Sequence, residues 1–102
     1  MITPGSTPKH TFTLPDGVND IKTIFVSYGQ NDVEVFCKKS NEVQLNGNDV
    51  IVQLTQEDTL KLECGIVAEI QLKILLEDGN VGYTEIIKED VAPVVLNREV
   101  MS

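Results

Sequence analysis

The sequence predicts an all-β protein in which about seven short strands pack as two antiparallel sheets. Three observations carry this expectation. Short runs alternate apolar and polar residues, turn signals built from Gly, Asn and Asp separate them, and the best helical candidate breaks its own apolar period. A chain of 102 residues is long enough to close one such core.

The opening residues 1–9 hold Pro4, Gly5, Ser6 and Pro8. Proline fixes φ and biases the preceding residue toward extended geometry, so this segment reads as an extended arm. It either frays or lies along a neighbouring subunit, with Ile2, Pro4 and Pro8 as contact residues. The sandwich then occupies residues 10–91, and residues 92–102 form a C-terminal tail.

His10–Leu14 alternates as a short first strand, and Pro15-Asp16-Gly17 supplies a turn. Ile21–Tyr28 and Val33–Lys39 follow as a hairpin around Gly-Gln-Asn-Asp. Facing Tyr28 with Val33 puts Val26 against Val35 and Ile24 against Cys37 on the buried side. That register leaves Phe25 opposite Phe36 on the other face, where two large rings outside a core either cover each other or mark a contact surface. Asn46-Gly47-Asn48-Asp49 is the strongest turn signal in the chain, pairing Leu45 with Val50, and Leu54 continues the apolar row. A third hairpin runs from Ala68 to Leu76, turns at Glu-Asp-Gly-Asn, and returns from Val81 to about Lys88.

That last hairpin has a rival. Ile66, Ile70 and Ile74 have helical spacing within good helix formers. Yet Ala68, Ile70, Leu72, Ile74 and Leu76 alternate strictly with Glu69, Gln71 and Lys73, and an Asp-Gly turn follows. The strand is the better reading.

Composition narrows the function. Sixteen acidic against eight basic residues give a net charge of −8, and the basic residues are scattered. Such a surface repels phosphate, so nucleic acid is not an expected partner. No run of about 18 apolar residues exists to span a membrane, and the start lacks the basic and apolar blocks of a secretory signal. Synthesis and folding in the cytoplasm are expected, which leaves Cys37 and Cys64 as reduced thiols.

The stretch Leu54–Gly65, LTQEDTLKLECG, resembles the corner at which immunoglobulin domains cross between sheets. In those domains a tyrosine precedes the bridging cysteine by two residues. Here Leu62 stands in that place, Cys37 is too close in sequence for the usual bridge, and there is no tryptophan. Thr55 capping a short turn through Asp58 explains the local similarity. Membership of the immunoglobulin family fails, while an immunoglobulin-like sandwich topology remains the expectation.

No catalytic, cofactor or metal site is expected. His10 is the single histidine, so any Ser-His-Asp or Cys-His arrangement would have to pass through it. Beside a flexible arm, it reads as a residue whose replacement by alanine leaves stability and any binding nearly unchanged. Two cysteines and one histidine are too few for zinc. The clusters Asp16/Asn19/Asp20, Asn46/Asn48/Asp49 and Glu77/Asp78/Asn80 consist of turn formers, and none fits a calcium loop. A carbohydrate-binding sandwich would need an aromatic platform, and the chain has only two tyrosines and three phenylalanines. A protein-binding module acting by edge-strand pairing is a further alternative.

Three segments, ITPGSTPKHTFTLP, VQLTQEDTLKL and EIQLKILLEDGNV, resemble small virion-associated proteins encoded by phages and prophages of gut Firmicutes. The resemblance covers the chain to about Val91 and departs from the family at the tail VAPVVLNREVMS. It brings no catalytic residues. It implies a non-enzymatic structural protein of a virion (tail, baseplate or head decoration) that works by self-association or by docking with other virion proteins.

Overall fold

The computed structural model describes residues 1–93; the tail segment 94–102 lies outside the described residues. Seven strands form: β1 Lys9–Thr13, β2 Ile21–Gln30, β3 Val33–Lys39, β4 Gln44–Asn46, β5 Asp49–Gln53, β6 Ala68–Leu76 and β7 Val81–Glu89. They make an antiparallel three-stranded sheet, β1-β5-β4, and an antiparallel four-stranded sheet, β3-β2-β6-β7. The all-β two-sheet sandwich is thus present. Its second strand lies in the larger sheet between β3 and β6, whereas the immunoglobulin constant arrangement pairs that strand with the first and fifth.

β6 is a strand and not a helix, because its alternation buries Ala68, Ile70, Leu72 and Ile74 and exposes Glu69, Gln71 and Lys73. A helix would have brought those polar side chains around to the core. Opposite lie Phe12, Leu14, Val50, Val52 and Leu54 from the smaller sheet, and the two apolar faces close one core. The β4–β5 hairpin pairs Leu45 with Val50, as the Asn-Gly signal predicts. One helical turn, α1 Gln56–Leu60, covers an end of the sandwich. Thr55 caps it, accepting from the Asp58 N–H while Asp58 accepts from the Thr55 N–H.

The β2–β3 register departs from the expected one, for a local reason. Asn31 and Asp32 both adopt left-handed backbone, with φ of 53° and 64°. These residue types tolerate that conformation, and two of them in a row make a two-residue turn whose twist matches the strands. Gln30 therefore pairs with Val33 and Gly29 with Glu34, and a bulge then brings Phe36 opposite Tyr28. Gly29 suits the bulge because a Cβ there would lie 3.1 Å from the Val33 carbonyl oxygen. Relative to the expected pairing the strand slips by three residues, and an odd slip exchanges its two faces. Phe36 points inward against Tyr28, while Phe25 stays on the outer face opposite Lys39.

The N-terminal segment folds onto its own sandwich. Ile2 is 1% exposed and Pro4 and Gly5 are buried. Ile2 pairs in parallel with Val91, its N–H donating to the Asp90 carbonyl at 2.7 Å and its carbonyl accepting from the Ala92 N–H at 2.8 Å. The Thr59 hydroxyl accepts from the Gly5 N–H and donates to the Ser6 carbonyl, which ties the segment to α1. An apolar residue at position 2 and an extended backbone with unmet hydrogen bonds favour this closure over an outward arm.

Candidate interaction surface

The five residues expected to form a contact surface do not come together. Ile2 and Pro4 are inside, Pro8 is half-buried beside β5, Phe36 faces the core, and only Phe25 lies on the outer face of the larger sheet. The expected Phe25/Phe36 pair is split across the sheet, so it offers no joint surface.

The inward move of Phe36 builds a polar-aromatic cluster between the sheets. Its ring stacks on Tyr28 with centroids 4.7 Å apart, and the ammonium groups of Lys38 and Lys61 each lie 5.9 Å from its centre. Lys38 also faces inward and pairs with Asp58 at 2.9 Å, with side chains 15% and 9% exposed. Burial alone pushes the Asp58 carboxyl up, but the Lys38 ammonium and the Thr55 N–H and hydroxyl outweigh it and hold it below the usual carboxylate range. The Tyr28 hydroxyl lies 2.7 Å from His10 Nδ1. Burial, helped by the negative charge of Asp58, pushes that phenol well above its ordinary value. Burial likewise lowers the His10 imidazole; Glu89 opposes this and the N-terminal ammonium adds to it. Tyr28 is fully shielded, so a substrate cannot reach its hydroxyl, and the His10–Tyr28 contact serves the core. Neither this contact nor the ion pair is visible in sequence spacing: the ion pair depends on the β2–β3 bulge that turns Lys38 inward, and the His10–Tyr28 contact joins strands of different sheets.

The outside of the larger sheet is accessible. A groove of about 610 Å³ crosses it near the β2–β3 turn, with Ser27, Gly29, Glu34, Val67, Glu69 and Lys88 among its walls. No aromatic side chain lines it. Among the described residues no group of three or more His, Cys, Asp or Glu is placed to hold a metal ion, and Cys37 and Cys64 are free, half-buried thiols. No helix there is long and apolar enough to cross a membrane.

β7 is the edge of that sheet. Its partner on one side is β6, and among the described residues its other side bonds to backbone only where Ile2 meets Asp90 and Ala92 just past its end, with the Met1 ammonium on Glu89. Since the Asp90 carbonyl and Ala92 N–H face away from β6, alternation along the strand turns those of Lys88, Ile86 and Thr84 the same way. Ile86 is 54% exposed on the outer face, while Ile87 is half-buried on the inner one. The Ile-Ile doublet was the available signal, because consecutive strand residues must point to opposite faces. The chain matches no protein-family model, and neither curated proteins nor solved structures include one similar to it.

Proposed function

We propose that the chain is a non-enzymatic assembly protein, a structural component of a phage or prophage virion that docks with other protein subunits. The observation that supports this reading is the edge of β7, bare among the described residues, beside a sheet face that they leave uncovered. An edge strand presents a ready row of N–H and C=O groups, and an incoming strand gains main-chain hydrogen bonds from it with side-chain pairing for selectivity. The sealing of Tyr28 also supports it, since the most perturbed titratable group has no access to a ligand. The virion setting, and a cytoplasmic origin before assembly, rest on the resemblance of the three quoted segments. A carbohydrate-binding role is less well supported: the groove on the outer face has polar walls but lacks an aromatic ring on which a sugar could stack.

The test is fractionation of particles from an induced lysogen that carries the gene. The chain is expected to band with purified particles in a fixed ratio to a major structural protein. Recovery only in the soluble fraction, with particles of normal composition, sinks the assembly reading.

A further inference from the structure

Building on that reading, we infer that β7 pairs antiparallel with β7 of a second copy about a two-fold axis at Ile86, joining two four-stranded sheets into one of eight strands.

The available length of edge sets the register. At the start of β7, Gly82 is the extra residue of a bulge, with Ile74 opposite Tyr83 and Leu75 opposite Val81. A Cβ at Gly82 would lie 2.6 Å from the Leu76 side chain, so the strand bends there against its neighbour. At the other end, Ile2 occupies the edge at Asp90–Ala92, and the Met1 ammonium pairs with Glu89 at 2.9 Å. Among the described residues, the regular segment whose backbone edge meets no other strand is therefore Tyr83–Glu89, with Met1 touching only the Glu89 side chain, and its midpoint is Ile86.

Backbone direction and charge agree with that midpoint. The N–H and C=O of Ile86 face the open side, so Ile86 against the second copy's Ile86 is a hydrogen-bonded pair, flanked by two Thr84–Lys88 pairs. The exposed isoleucines then cover each other on the outer face, while Glu85 meets Ile87 and Tyr83 meets Glu89 on the inner face. Centring one residue earlier sets Glu85 against Glu85, and one later sets Glu85 against Glu89. Centring on Lys88 opposes two lysines, and centring on Thr84 draws the bulged Gly82 into the ladder. Like charges directly opposite destabilise a strand pair, so Ile86 is the best-matched centre. Glu85 and Glu89 remain diagonal neighbours across the join, and each chain carries −8. Added salt therefore strengthens this dimer by screening repulsion.

Sedimentation equilibrium from roughly 10 µM to 1 mM, the range suited to a small transient interface, tests this. Expected are a monomer–dimer equilibrium that tightens with salt, a dissociation constant at least ~10-fold weaker in Ile86→Lys, and near-wild-type pairing in Ile86→Val. Circular dichroism confirms that the variants fold. In a Cys37→Ser, Cys64→Ser background, Ile86→Cys is expected to crosslink to itself on mild oxidation, since hydrogen-bonded partners have Cα atoms about 5.5 Å apart, within disulfide reach. Thr84→Cys is expected not to. A monomer throughout the range, a dimer indifferent to Ile86→Lys, or equal crosslinking at positions 84 and 86 overturns the inference. A monomer that still bands with particles overturns it while leaving the assembly reading intact.

Discussion

The larger sheet ends in two edge strands, β3 and β7, and the sequence treats them in opposite ways. β3 carries a bulge, ends in two lysines, and has one of them, Lys38, drawn inward to Asp58 of α1. Bulges and edge lysines discourage further strand pairing. β7 keeps a regular run from Tyr83 to Glu89, exposes Ile86, and among the described residues is blocked only at its ends. One edge is tied into the core by buried polar chemistry, and the other, among the described residues, keeps an open run of backbone. Substitutions at the β3 edge should therefore change stability, and substitutions on β7 should change association.

The largest expected effect lies at the tied edge. Asp58→Ala leaves the Lys38 ammonium, in a nearly closed site, with only the more distant and more exposed Glu42 carboxylate at 3.9 Å, and removes half of the α1 capping box. A loss of roughly 3–5 kcal/mol in urea unfolding is expected, since breaking a buried pair costs more than the pair itself contributes. Because the folded-state carboxyl titrates below its unfolded value near 4, its stabilisation is present above that value and disappears as pH falls through the folded one. The variant should lose this acid-side slope. Dimerisation measured where both proteins are folded should be unchanged; a loss there would mean that the two edges are coupled.

Ile2→Ala comes next and bears on the obstruction at the end of β7. It removes a fully buried side chain whose backbone occupies the edge at Asp90 and Ala92. About 2–4 kcal/mol is expected from thermal or urea unfolding, less if the site collapses around the smaller residue. A change below about 1 kcal/mol would place the N-terminal segment outside the cooperative unit.

His10→Ala should cost about 1–2 kcal/mol, because it strands the buried Tyr28 hydroxyl. This replaces the expectation, formed from the sequence, that the substitution is silent. The pH signature has a definite sign. Burial lowers the imidazole pKa in the folded state, so the unfolded chain binds the proton first as pH falls. Wild-type stability should therefore decline as pH drops from about 6.5 toward the lower folded value. The alanine variant should lack that part of the slope.

How much of this was legible from the residues depends on the range of each interaction. β6 was readable because its alternation lies in consecutive positions, and the β4–β5 register because Asn46-Gly47-Asn48-Asp49 specifies its own turn. The α1 cap was readable too, since Thr55 and Asp58 are three residues apart. The inward Phe36 was not. It follows from left-handed backbone at both Asn31 and Asp32 and from a bulge at Gly29, and together these reverse the faces of a strand whose residues suit either side. The arm was misjudged for a similar reason: a Thr59 hydroxyl that binds Gly5 and Ser6 is a contact between distant segments. The candidate interface lay half in view, as two adjacent isoleucines that no strand can bury on one face.

The smallest effect is expected from Phe25→Ser, which separates the two outer-face hypotheses most directly. Phe25 is half-buried, and its cross-strand neighbours are Lys39 and Lys73, residues whose aliphatic stems are long enough to shield part of such a ring. Because only part of the ring leaves water on folding, its loss should cost roughly 1 kcal/mol, far less than truncating a core phenylalanine. On the sheet Phe25 sits in β2, separated from β7 by β6, so it cannot touch a partner strand added at that edge. Sedimentation of Phe25→Ser should therefore match wild type at every concentration, while Ile86→Lys shifts toward monomer. If the serine variant were instead the monomeric one, association would run through the sheet face near β2, and the edge of β7 would be solvent-exposed in the assembled protein.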